Sequence, residues 1–152
     1  MNVLGIRCSN RDYTFAILSG TKKRPRLIDC NTILFPKGFA KPKSVKWMLQ
    51  EIDTLLKQHR IKKIAMKKNE SQFRGKPYDE RIECETMVYL AAENCGIKVV
   101  CKKTKGTIAK DLGLKGRAHY LATSLNTSLI SDYDSYSDKQ QEAILAAWSE
   151  LT

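Results

Sequence analysis

Acidic side chains are scarce in this chain. Sixteen Asp and Glu stand against twenty-seven Lys and Arg in 152 residues, a formal net charge of +11. With 42% hydrophobic and 28% charged residues the composition is that of a globular protein, which excludes a disordered chain. No apolar run approaches the ~18 residues of a membrane span, so no membrane partner is expected. The start, Met1 to Arg7, brings a charge after only a handful of apolar residues, unlike a signal peptide, and the expected location is the cytoplasm. Histidine is nearly absent: His59 and His119 are the two, and neither belongs to a recognisable Ser or Cys triad pattern. The cysteines, Cys8, Cys30, Cys84, Cys95 and Cys101, are odd in number and no pair is spaced C-x-x-C. Neither a disulfide framework nor a zinc site is expected, and they read as small buried hydrophobes in a reducing compartment. Gly113 to Gly116 is not a P-loop, because Lys115 sits between the glycines and no Ser or Thr follows. Repeats, low-complexity tracts and long linkers are also missing. Residues 1–152 are therefore expected to form one domain, large enough to bury a core without staples.

What the chain has in excess is positive charge, unevenly spread. Residues 1–69 hold 16 basic and 4 acidic groups, residues 70–127 hold 10 and 7, and residues 128–152 hold 1 and 5. Such a field attracts polyanions, and nucleic acid is the expected one, because each neutralised phosphate releases counterions. The competing interpretation is a lysine-rich surface that serves solubility alone.

Hydrophobic periodicity gives the order of elements. Val3 to Cys8, Tyr13 to Leu18 and Leu27 to Phe35 read as three strands with short connections, an antiparallel meander. Asn10-Arg11-Asp12 and Ser19-Gly20-Thr21 are the turns, and Pro36 stops the third strand. Val45, Met48, Leu49, Ile52, Leu55 and Leu56 form one helical face, with Ser44 as the expected N-cap. Ile61 to Met66 is a fourth strand, and residues 67–78 a basic loop. Cys84, Met87, Val88, Ala91 and Cys95 stripe a second helix, with Asp79 near its start and Gly96 past its end. Ile97 to Cys101 is a fifth strand. A short helix is expected from Thr104 to about Leu112 and another over Ala118 to Leu129. Residues 131–137 read as a polar loop. Ser137 with Gln140 forms a capping box before a last helix striped by Ile144, Leu145, Trp148 and Leu151.

The order βββαβαβα predicts a mixed five-stranded sheet with helices on both faces, an α/β arrangement that resembles the RNase H-like fold. Local matches carry the resemblance further. Leu4-Gly5-Ile6-Arg7-Cys8-Ser9 resembles the first strand of RuvC-type Holliday-junction resolvases, which runs Gly-Ile-Asp into a hairpin. Thr104 to Lys110 followed by Gly113-Leu114-Lys115-Gly116-Arg117-Ala118 is similar to the resolvase stretch after strand five, where a short basic helix leads into a Gly-x-Gly-Arg-Ala turn. Asp138 to Ala147 resembles the acidic, alanine-rich last helix. Lys67 to Lys76, with Ile82-Glu83, is similar to a small bacterial family of single-domain RNase H-like proteins of unknown function. Together these matches span residues 4 to 147.

The resemblance implies a site at which three or four carboxylates hold two divalent ions for phosphodiester cleavage. Here the first carboxylate position is Arg7, and the fourth strand ends in Met66-Lys67-Lys68 in place of a glutamate. A guanidinium has no lone pair for a metal. Asp138 and Glu142 remain, one residue off the resolvase spacing. A degenerate site of Arg7, Lys67, Lys68, Asp138 and Glu142 is therefore expected, with no catalytic residue, metal or cofactor and with Arg7 paired to Asp138 or Glu142. Arg74, Lys76, Lys102, Lys103, Lys105, Lys115 and Arg117 are the expected nucleic-acid-binding residues, for DNA or RNA, with Phe73 and Tyr78 as candidate stacking groups. The alternatives are an accessory subunit with a protein partner or a homodimer, and a nuclease with carboxylates relocated to Glu70, Glu80, Glu83 and Glu85 together with Asp138.

Overall fold

The computed structural model describes residues 1–70 and 79–152. Three strands come first, β1 (Asn2–Cys8), β2 (Asp12–Thr21) and β3 (Arg24–Leu34). Then follow α1 (Lys41–Gln58), β4 (Ile61–Lys67), α2 (Asp79–Asn94) and β5 (Val99–Lys103). The chain ends in α3 (Lys105–Asp111), the single turn α4 (Tyr120–Thr123) and α5 (Asp138–Ser149). The sheet order is β3-β2-β1-β4-β5. β1 pairs antiparallel with β2, which pairs antiparallel with β3. β4 lies parallel to β1 on its other side, and β5 parallel to β4. β1 is thus central, and its run Val3 to Ile6 is buried on both faces, as a central strand covered twice should be.

Period-two alternation sorts the strand residues between two cores. Leu4, Ile6, Phe15, Ile17, Ile64 and Met66 pack with Met48, Ile52, Leu55 and Leu56 of α1 and Cys84, Val88 and Ala91 of α2. Val3, Ala16, Leu18 and Ala65 pack on the opposite side with Ile108 and Ala109 of α3 and Ala143 to Trp148 of α5. Arg7 follows Val3 and Gly5 on β1 and so faces α5. Gly5 has no room for a side chain: a Cβ there would overlap the Ala143 carbonyl oxygen and lie 2.8 Å from the Ala147 amide nitrogen. The absent side chain lets α5 lie directly on the centre of the sheet.

Several boundaries differ from the sequence-based expectation. Ser19-Gly20-Thr21, expected as a turn, is strand: β2 runs to Thr21 and β3 begins at Arg24, with Ser19, Gly20 and Thr21 paired to Arg26, Pro25 and Arg24. α1 begins at Lys41 behind Ala40 rather than behind Ser44. Pro42 in its first turn has no amide to leave unpaired, and the Ser44 amide donates to the Ala40 carbonyl at 3.0 Å. β5 begins at Val99, because Ile97 belongs to the end of α2: Gly96 is left-handed at φ +68°, and the Ile97 amide donates back to Ala92 at 2.9 Å. The expected helix over Ala118 to Leu129 is only the turn α4 followed by a 3-10 turn, Thr127–Leu129, started by the Asn126 side chain accepting from the Ser128 amide. The polar stretch 131–137 contains another 3-10 turn, Tyr133–Ser135. The capping box of α5 is present in both directions, Ser137 Oγ with the Gln140 amide and Gln140 Oε1 with the Ser137 amide.

Candidate functional site

The carboxyl ends of β1 and β4, residues 68–70 after β4, the start of α3 and the first turns of α5 enclose a cleft of about 380 Å³. Arg7, Lys67, Lys68, Glu70, Lys105 and Glu142 line it. Its four cations and two carboxylates leave a net positive charge.

Arg7 reaches α5, where its Nε forms an ion pair with Glu142 Oε2, and its Nη1 donates to Ser9 Oγ at 2.6 Å. Of the two partners expected for Arg7, Glu142 is the one found; Asp138 is exposed at the first helical position of α5 and faces a neighbouring cleft. Glu142 also takes Lys105 Nζ at 3.3 Å. Lys67 ends β4 with its side chain almost wholly buried and reaches Glu70 Oε2 at 2.7 Å and the Lys68 carbonyl. The same Glu70 oxygen accepts from the Lys105 amide at 3.0 Å. Burial pushes the Glu70 carboxyl up, but the Lys67 ammonium and the Lys105 amide outweigh it and hold the group below its ordinary value. Cations and carboxylates thus alternate from Arg7 through Glu142, Lys105 and Glu70 to Lys67.

This donor set does not fit the divalent ions that the fold resemblance implies. Mg²⁺ requires hard oxygen ligands with open lone pairs. Glu142 and Glu70 are each engaged by two nitrogen groups, and a guanidinium and an ammonium occupy the strand-end positions. Among the described residues no three His, Cys, Asp or Glu side chains converge as metal ligands. Among the described residues the glutamates of the relocated set are held by separate cations. Glu80 and Glu83 pair with Lys41 of α1 at 3.7 and 3.1 Å, and Glu85 is buried against Lys102 at 2.5 Å.

The remaining basic residues divide. Lys68, Lys105, Lys115 and Arg117 are solvent-facing, the last two on the turn after α3. That turn is drawn onto α3 by Gly106, where a Cβ would come within 2.9 Å of the Gly116 carbonyl, so the glycine pattern has a packing cause. Lys103 corrects the expectation. Because β5 runs two residues further than its apolar pattern suggests, Lys102 and Lys103 lie in the strand and point to opposite faces. Lys103 is buried and bonds Asp111 at 2.7 Å, Ser149 Oγ at 3.0 Å and Glu150. Burial disfavours its charge, but the two carboxylates reverse that and raise its pKa. It is a buried cation that ties β5 to Asp111 and Glu150. Lys102 is partly exposed and tied to Glu85. Arg74, Lys76, Phe73 and Tyr78 lie outside the described residues.

A second cleft, of about 360 Å³, adjoins the first across Arg7 and Asn69. Arg11, Asp12, Arg81 and Lys139 line it, and Lys139 holds both oxygens of Asp12 at 3.1 and 3.0 Å. Nothing in the sequence singles out Arg81 and Lys139, since lone basic residues in amphipathic helices carry no signal of where they point.

Neither a protein-family model nor a curated protein matches the sequence. The structure does have matches. Thermus thermophilus RuvC in complex with Holliday junction substrate superposes with a TM-score of 0.81 at 14% identity, covering 98% of this chain and 92% of that one. A second Thermus thermophilus RuvC structure gives 0.77 at 13% identity over the same shares. The yeast mitochondrial Holliday junction resolvase Ydc2 gives 0.66 at 14% identity, over 97% of this chain and 76% of that one. With the central parallel pair, the antiparallel meander and a last helix laid across β1, the chain has the RuvC-like, RNase H-like fold.

Proposed function

We propose that this protein binds nucleic acid over the carboxyl ends of β1 and β4 and does not cut it. The observation that carries the reading is the replacement of metal-ligand chemistry by a self-satisfied ion-pair chain. Arg7 holds Glu142 and Lys67 holds Glu70, so the cleft presents cations where a divalent ion would need oxygens. Two unit charges 4 Å apart interact by roughly 4 kcal/mol at an effective dielectric near 20, so like charges at these positions oppose a divalent ion strongly. The same cations suit phosphate groups directly. Lys68, Lys105, Lys115 and Arg117 provide the exposed charge, and contacts of this kind position a backbone without reading bases. The structural likeness to a protein solved with Holliday junction substrate supports nucleic acid as the polyanion.

The test measures binding and cleavage together. Labelled four-way junctions, duplexes and single strands are incubated with purified protein in chelator and in Mg²⁺ or Mn²⁺. Equal binding in both buffers with uncut substrate is the expected result. Products that form in Mg²⁺ and vanish in chelator would overturn the non-cutting half, and failure to bind any of the substrates would overturn the rest.

A further inference from the structure

Buried polar groups in folded proteins are almost always paired, and each exception calls for a reason. Among the described residues two buried side-chain nitrogens lack a hydrogen-bond partner, Arg7 Nε and Arg81 Nε. The contact of Arg7 Nε with Glu142 is an ion pair without hydrogen-bond alignment. Both atoms belong to side chains that line the second cleft. Arg81 projects there from the first turns of α2, Arg11 from the β1–β2 turn and Lys139 from the start of α5. Four cations therefore meet around one carboxylate, Asp12, which Lys139 already holds. Three elements distant in sequence bring their cations to one place; Arg7 Nε is held by Glu142, and Arg81 Nε is the buried donor left with neither a carboxylate nor a hydrogen-bond partner among the described residues.

We propose that this second cleft is a seat for a phosphate-class oxyanion, with the Arg81 guanidinium as its principal ligand and Arg11 at its rim. A guanidinium donates in a planar fork that matches two phosphate oxygens, and a tetrahedral anion accepts from several directions at once. Such an anion supplies acceptors to the Arg81 guanidinium and offsets the local excess of positive charge. The seat adjoins the ion-pair chain across Arg7. In the setting of the proposed function, on which this part rests, it holds a backbone phosphodiester next to the first cleft. A free phosphate compound shares the chemistry, and the experiment separates the two sources.

The probes are inorganic phosphate, read as a shift in melting temperature, and a labelled duplex or junction, read by fluorescence anisotropy. The variants are Arg81→Leu and, at an exposed position that does not bear on folding, Arg11→Gln. For the parent, phosphate should raise the melting temperature where sulfonate buffer at equal ionic strength does not. Arg81→Leu should abolish that shift and weaken nucleic-acid binding about tenfold, as expected for a charge-assisted contact. In phosphate-free buffer it should melt no lower than the parent, because it removes an unsatisfied buried donor. Arg11→Gln should reduce both readouts in the same direction, more weakly. A phosphate shift lost in both variants while nucleic-acid affinity stays unchanged supports the seat and assigns it to a free phosphate compound. No phosphate shift in the parent, with nucleic-acid affinity unchanged in both variants, overturns the seat but leaves the proposed function standing. A parent that binds no nucleic acid yet shows the variant-sensitive phosphate shift does the reverse. Arg81→Leu melting well below the parent, with Arg11→Gln silent in both assays, overturns the proposal in favour of a structural Arg81.

Discussion

Lys103 and Lys105 stand two residues apart and do opposite things. Lys105 begins α3, bonds Glu142 and faces the cleft; Lys103 ends β5, is buried, and neutralises Asp111 and Glu150 beneath α5. A buried ammonium costs several kcal/mol of desolvation, which its partners must return. Removing it leaves Asp111, about one-third exposed, without that cation and leaves Glu150, about one-fifth exposed, with Lys63 at 4.0 Å. Lys103→Met should therefore lower stability by about 3 kcal/mol in urea unfolding. Lys105→Met, at a half-exposed position, should cost less than about 1 kcal/mol. The sequence put the two lysines in one class because both follow an apolar run. What separates them is the point at which β5 ends, and a Val-Val-Cys-Lys-Lys strand carries no side-chain signal for that. That Arg7 pairs with an acid of the last helix was legible, because both positions could be placed by their resemblance to known elements; the choice of Glu142 over Asp138 was not. The part played by Glu70 was not, since its partners come from the end of β4 and from a backbone amide of α3.

At the scale of elements, the contact of α5 with β1 decides where the site is. The helix presents Ala143, Ala146 and Ala147 to the sheet, and Gly5 removes the last obstacle beneath it. Glu142 immediately precedes Ala143 and so arrives beside Arg7, two residues beyond Gly5. Gly5→Ala inserts a methyl group into the Ala143 backbone, which has no flexible end to move aside. The expected loss is at least about 2 kcal/mol, read by chemical unfolding, because the strand and helix must separate along their contact. Periodicity exposed the order of strands and long helices well, because those elements bury continuous stripes. It failed over Ala118 to Leu129. There Leu121 is buried but Ala122 and Leu129 are exposed, so the apparent stripe has no surface to cover, and Asn126 interrupts the backbone ladder.

For the whole molecule, the question is whether its +11 charge acts as a diffuse field or through one face. The two ends of β1 offer a comparison. Arg7, Lys68, Lys105 and Lys115 gather at or beside its carboxyl end, whereas Lys23, Arg24 and Arg26 are exposed around the β2–β3 turn, beyond the register pair Val3 and Leu18 at the opposite end. Replacing Lys68, Lys105 and Lys115 by Glu, or Lys23, Arg24 and Arg26 by Glu, lowers the formal charge equally, from +11 to +5. A diffuse field predicts equal losses of affinity. A localised interface predicts that the first triple variant loses most of its binding and that its slope of log affinity against log salt flattens by about 0.9 for each phosphate contact removed. The second variant should keep the parent's slope and lose only the modest, long-range part that screening beyond about 10 Å at 0.1 M salt already weakens. Anisotropy titrations of both variants across about 50 to 200 mM salt measure this, with melting curves to show that each remains folded. Equal slopes in the two variants would mean that the ion-pair chain and its neighbouring lysines have no special claim on the phosphates. Retention of the parent slope in the second variant alone would fix the interface at the carboxyl ends of β1 and β4, where the fold brings its cations together.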